Sequence, residues 1–137
     1  MPPDPLTRYR ALHAAIRQGL VQAAHDLSEG GLAVAVAEMC LAGRLGARVE
    51  LDPLLPGAGL TVVEALFAES NGRLLVEVAE GDAASFEAAM AGTSCAKIGT
   101  VQVAAEPVIT AQSEGEQRTV LSVTVEELVA AWKGEVA

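Results

Sequence analysis

Apolar residues near the start of the chain recur at helical spacing: Leu6, Tyr9, Leu12, Ala15 and Ile16. Pro5 suits the first turn of such a helix and Gly19 its end, so the pattern predicts a helix over Leu6–Gly19. Leu20–Asp26 is a short apolar run and reads as a strand. Leu32–Arg44 is apolar almost all round, broken by Glu38, which is the pattern of a helix buried on most sides. Ala47–Leu51 alternates as a strand does. Thr61–Ala68 reads as a helix opened by a T-x-x-E signature, Thr61 with Glu64. Arg73–Val78 is the next strand and Ala83–Ala91 the next helix. Cys95–Val103, Pro107–Ala111 and Arg118–Val123 complete the strands, with "QSEGEQ" a polar turn. Thr124 and Glu127 repeat the capping signature, and the closing helix places Val125, Leu128, Val129 and Trp132 on one face, as core. The expected result is one mixed α/β domain over residues 1–137, with residues 1–4 a flexible tail.

Composition sharpens this picture in three ways. Half the residues (51%) are hydrophobic but only 3% are aromatic, so the core is built from Ala, Val, Leu and Ile. The net charge of −9, with the basic residues scattered, argues against nucleic acid and anionic membrane as partners, since both demand clustered Lys and Arg. Cys40 and Cys95 form no CxxC pair and read as free, buried thiols of a reducing compartment. "MPPDPLTRYR" has no apolar signal-like run, and the longest apolar stretch, Leu32–Ala42, is too short to span a bilayer. A soluble, cytoplasmic protein is expected.

The stretch that suggests chemistry is "HDLSEGGL", where a strand turns into the most apolar helix. Ser28 is placed to cap that helix, and Gly30 and Gly31 leave the backbone bare. Unpaired N–H groups at the positive end of a helix suit a phosphate. Asp26 stands at the carboxyl end of the strand, where α/β sheets collect ligands, and can hold a ribose hydroxyl or an amine. The same residues also read as no more than a cap and a tight turn, because neither GxGxxG nor a Walker lysine is present. "ESNGR", Glu69–Arg73, divides the same way: Asn71-Gly72 is a common turn pair, whereas Arg73 can reach an anion. His13 reads as a surface residue, and His25 alternates away from Asp26, so a His-Asp dyad is not expected. No serine has a nucleophile-elbow context and no cluster has metal-ligand spacing, so neither catalytic residues nor metal ligands are assigned.

"AAHDLSEGGLAVAVAEM" resembles the last domain of the formylglycinamide ribonucleotide amidotransferases, the large subunits of phosphoribosylformylglycinamidine synthase. "FAESNGRLLVEV", "AKIGTV" and "LSVTVEELVAAWKG" resemble further segments of that family, so the likeness covers about residues 6–134. It implies a three-layer α/β/α sandwich with a mixed sheet, partly ferredoxin-like, as in aminoimidazole ribonucleotide synthetase. It also implies a part in the ATP- and glutamine-dependent conversion of formylglycinamide ribonucleotide to its amidine, in purine synthesis. Carried over by position, Asp26, Ser28, Glu29, Gly30 and Gly31 match the family's glycine-rich ligand loop, and Glu69, Ser70 and Arg73 match a second segment near it. Glu29 stands where the family more often has Asp. ATP and Mg2+ are expected to be held mainly by domains this chain does not contain, so the domain alone is expected to be inactive. Its implied partners are those remaining domains, a glutaminase subunit and a small accessory subunit. The alanine- and valine-rich helix after Gly31 is the candidate surface for meeting them, or for self-association. A non-catalytic ligand-binding or scaffolding domain of the same fold remains the alternative.

Overall fold

The computed structural model describes residues 5–55, 60–103, 108–113 and 118–135. The tail 1–4, the centre of the Pro/Gly loop (56–59), the turn 104–107 and residues 114–117 of "QSEGEQ" lie outside the described residues. In chain order the helices are α1 (Pro5–Arg17), α2 (Gly31–Gly43), α3 (Val62–Phe67), α4 (Ala83–Ala89) and α5 (Val125–Lys133). The strands are β1 (Ala23–Asp26), β2 (Gly46–Glu50), β3 (Leu74–Glu77), β4 (Gly99–Gln102), β5 (Val108–Ser113) and β6 (Arg118–Thr124). This is the mixed α/β class that the sequence predicts. The chain divides into two compact units, Met1–Asp26 with Gly72–Ala96 and Leu27–Asn71 with Lys97–Ala137.

In the first unit β1 and β3 pair antiparallel, with Ala23 opposite Glu77 and Asp26 opposite Leu74. Two strands alone are marginal in water, so this pair depends on the helices packed on it. Leu12 and Ala15 of α1 and Phe86 of α4, with Met90, form the buried centre, and Leu74, Val76 and Val78 pack against it from the strand side. Leu20 and Val21, predicted as strand, join that apolar cluster instead of the ladder. Pairing begins only after them, so β1 is shorter than its apolar run.

In the second unit four strands form a mixed sheet in the order β4-β2-β5-β6. β2 runs antiparallel to β4 and parallel to β5, and β5 runs antiparallel to β6. Along β2, Ala47 and Val49 are buried while Arg48 and Glu50 are exposed. That alternation is the mark of a sheet covered on one face. α2 lies against β2 and β5, α5 lies against β6, and α2 also touches α3 and α5. The predicted strand Cys95–Val103 shrinks to Gly99–Gln102, the residues that find partners in β2.

Three expectations are corrected here. Trp132 is 73% exposed, not core: Val125 is fully buried, but the apolar stripe of α5 continues past the surface it packs on. α2 is open only in part, because Leu32, Ala35, Val36 and Cys40 are buried beneath its neighbours while Val34 is exposed. Large apolar side chains are exposed elsewhere, among them Tyr9 and Ile16 on α1, Val63 and Phe67 on α3, and Val101 on β4. Neither cysteine is in a disulfide, yet only Cys40 is buried; Cys95 is exposed. Partial burial, and then the charge of Glu87, push the Cys95 thiol pKa up, which favours the unreactive protonated form.

Candidate functional site

Two of the second unit's helices begin as their sequences dictate. In α3 the Thr61 hydroxyl accepts from the Glu64 N–H at 3.3 Å, and the Glu64 carboxylate accepts from the Thr61 N–H at 2.8 Å. In α5 the Thr124 hydroxyl accepts from the Glu127 N–H at 3.1 Å, and Glu127 accepts from the Thr124 N–H at 2.7 Å. Each is a complete capping box. The N–H bonds favour the ionised carboxylate, so the backbone bond from Thr61 and the one from Thr124 hold Glu64 and Glu127 below the ordinary 4.5.

α2 begins differently. Its N-cap is Gly30, in the left-handed region at φ 75°, and no side chain caps the helix. Ser28 is therefore not the cap that the sequence suggests; it lies two residues before the N-cap and is exposed. The first turn carries no acid, so a local box is impossible. The Gly30 N–H donates instead to Oε1 of Glu69, at 2.8 Å, across 39 residues. The Gly30 N–H that was expected to stand unpaired is thus engaged.

Gly31 explains why the two segments meet. It is buried, with φ 64°, and a Cβ there would lie 2.8 Å from the Phe67 carbonyl carbon and 2.9 Å from the Leu66 carbonyl oxygen. The glycine turn is seated directly on the backbone at the end of α3, and a side chain would force the two apart. Gly30 is confined as well, since a Cβ there would run into the side chain of Val34.

The structure therefore brings Gly30, Gly31 and Glu69 together within the second unit, where the exposed Ser28, Glu29 and Ser70 also belong. Asp26 and Arg73 belong to the first unit. Asp26 closes β1 with its side chain 66% exposed. His25 Nδ1 lies 2.6 Å from the Asp26 carbonyl oxygen and 3.8 Å from its carboxylate, the geometry of a ring N–H donating to the backbone. The sequence pattern turns His25 away from Asp26, whereas the ring lies back beside the Asp26 backbone and carboxylate. The Asn71-Gly72 turn is held by Arg8, whose Nη1 donates to the Gly72 carbonyl at 2.7 Å. Partial burial lowers the pKa of the Arg73 guanidinium, the direction that desolvation gives a cation. Among the described residues no three His, Cys, Asp or Glu side chains gather as a metal cage. No helix is long and apolar enough to cross a membrane, among the described residues.

The Glu69–Gly30 bond is what reading the sequence missed. The signal was present only as a gap: two helices start with T-x-x-E, whereas α2 starts with G-G-L-A and has no acid to use.

The model of the family described as AIR synthase related protein, C-terminal domain, matches residues 2–112. The phosphoribosylformylglycinamidine synthase subunit PurL of Prochlorococcus marinus (strain MIT 9303) is 42% identical over 103 residues, covering 75% of this chain and 12% of that protein. The subunit PurL of Thermomicrobium roseum is 45% identical over 84 residues, covering 58% of this chain and 11% of that protein. The chain thus spans about an eighth of the length of these relatives. Among solved structures, T. maritima PurL complexed with ATP superposes with a TM-score of 0.76 at 27% identity, covering 89% of this chain and 21% of that one. T. maritima PurL complexed with FGAR gives a TM-score of 0.77 at 26% identity, covering 90% and 20%. The structure of PurLQS from Thermotoga maritima gives 0.74 at 27% identity, covering 90% and 21%.

Proposed function

Because the chain belongs to the family of AIR synthase related protein C-terminal domains, we propose that it is the C-terminal domain of a phosphoribosylformylglycinamidine synthase. The reaction is the ATP- and glutamine-dependent conversion of formylglycinamide ribonucleotide to its amidine, in the cytoplasm. The observation that carries this reading is the kinship with synthase subunits over 75% of the chain.

The geometry supports a binding role more than a chemical one. A capping box has two halves, a carboxylate for the N-cap N–H and a hydroxyl for the N–H three residues on. α2 has the first half, from Glu69, and lacks the second. A phosphate oxygen at the start of α2 supplies the missing acceptor, favoured by the helix dipole by about 0.3–1 kcal/mol. Ser28, Glu29 and Gly31 are the neighbouring residues of that turn, and Asp26 and Arg73 are further candidates for a ribose or an anion. Magnesium and most contacts to ATP belong, in this reading, to domains outside the chain. So do the surfaces for a glutaminase subunit and a small accessory subunit.

A chimaera tests the proposal: the P. marinus synthase subunit with its matching segment replaced by this chain. The expected outcome is turnover that requires ATP, formylglycinamide ribonucleotide and an ammonia source, with none from the chain alone. A chimaera that folds and assembles but gives no turnover sinks the reading and leaves the scaffolding domain in its place.

A further inference from the structure

We propose that Glu69 is a positioning residue: its carboxylate stands in for the capping acid that α2 lacks, and so fixes the glycine turn in the form that receives a ligand. The inference rests on the synthase reading above.

Three helices of the second unit carry the same bond, from an N-cap N–H to a glutamate carboxylate. The distances are 2.8 Å in α3, 2.7 Å in α5 and 2.8 Å in α2. In α3 and α5 the N-cap is extended, at φ −76° and −80°, and the acid comes from the helix's own first turn. In α2 the N-cap is left-handed and the acid comes from the segment after α3. Two adjacent glycines with positive φ, Gly30 and Gly31, form this turn, a backbone conformation that side chains rarely adopt. Besides the Val34 side chain beside Gly30, two restraints tie the turn to the segment at the end of α3: the Glu69 bond and the contact of Gly31.

The two restraints differ in what depends on them. The Gly31 contact is buried backbone packing, on which the fold depends. The Glu69 bond is exposed, so water replaces it when it is lost, and the fold survives. Its loss falls on the geometry of the turn. Glu69 keeps its carboxylate on the protein's own backbone, so its part in the reaction is exerted through the turn and not by touching the ligand.

The test uses the synthase chimaera with Glu69→Ala and Glu69→Gln, each assayed well below its melting temperature. Misplacing a binding loop without removing chemistry raises KM more than it lowers kcat, and we expect a KM for ATP or formylglycinamide ribonucleotide raised about tenfold or more in the alanine variant. Glutamine keeps an acceptor oxygen and recovers most of the loss. Thr124→Ala, which weakens an unrelated cap, leaves both KM values where they were, because loss of stability alone does not move them. The Gly30 amide resonance of this chain gives a second readout: it shifts in the alanine variant and stays in the glutamine one. Glu69→Ala with unchanged KM values, a glutamine variant as impaired as the alanine one, or an unmoved Gly30 amide each overturns the assignment. A parent chimaera without turnover is a different failure, that of the synthase reading, and takes the proposed role with it.

Discussion

α5 and α2 meet the same requirement by opposite routes. Each must satisfy the exposed donors of its first turn. α5 does so with residues three apart, Thr124 and Glu127, which fold into place as soon as the turn forms. α2 takes its carboxylate from Glu69, on the far side of α3, so its bond exists only once the tertiary structure does. A local cap stabilises a helix, whereas a distant cap also ties two segments of chain to one another. It still leaves α2 without the hydroxyl half of a capping box, the place at which a ligand oxygen can enter.

The comparison breaks most visibly at Gly31. If the glycine turn is seated on the α3 backbone, any side chain at Gly31 must displace Phe67, Leu66 or Ala68 main-chain atoms that lie 2.8–3.0 Å from its Cβ. Gly31→Val adds left-handed strain, about 1–3 kcal/mol, to an overpacking cost of about 1–3 kcal/mol. The expected outcome is a loss of about 2–6 kcal/mol in urea unfolding, with the Gly30–Glu69 bond lost as well. A valine variant as stable as the parent means that the turn is free of α3. Thr124→Ala probes the local route and should cost less, about 0.5–2 kcal/mol, by removing the acceptor for the Glu127 N–H. Its effect should stay within α5, with the Gly30 amide resonance unmoved; a change at Gly30 would mean that the two caps are not independent.

How much of this was legible follows from the same contrast. Both capping boxes were plain in the sequence, because T-x-x-E states donor and acceptor within one turn. So were the helical register of α1 and the burial of α2, whose apolar residues need cover on several sides and find it in α3, α5 and the sheet. Strand lengths were overestimated where an apolar run serves packing instead of pairing, as Leu20 and Val21 do. Trp132 was misread because periodicity shows which face a residue lies on, but not where the neighbouring surface stops. Within the candidate site the glycines were found and their partner was not. Ser28 satisfied a local rule, and no local rule points from residue 30 to residue 69. Glu69 was noticed only through family likeness, as a ligand candidate; its bond to the turn needed coordinates.

The smallest expected effect concerns pH and separates the two boxed helices from each other. Glu64 and Glu127 are both held below the ordinary 4.5, chiefly by the backbone bond from the threonine three residues earlier. A carboxylate whose folded pKa lies below its unfolded one stabilises the fold above the unfolded value. That contribution fades as pH falls from about 4.5 through the folded value, while the range above it is flat for these two groups. Carboxyl carbon NMR should therefore show both residues titrating below 4.5. Thr124→Ala should move Glu127 back towards that value and leave Glu64 in place, since the two boxes share no atoms. Midpoints at or above 4.5 in the parent chain would show that the boxes are open in solution. The local route would then be no firmer than water, and the distant clamp of α2 would be the only cap of the three that the fold itself enforces.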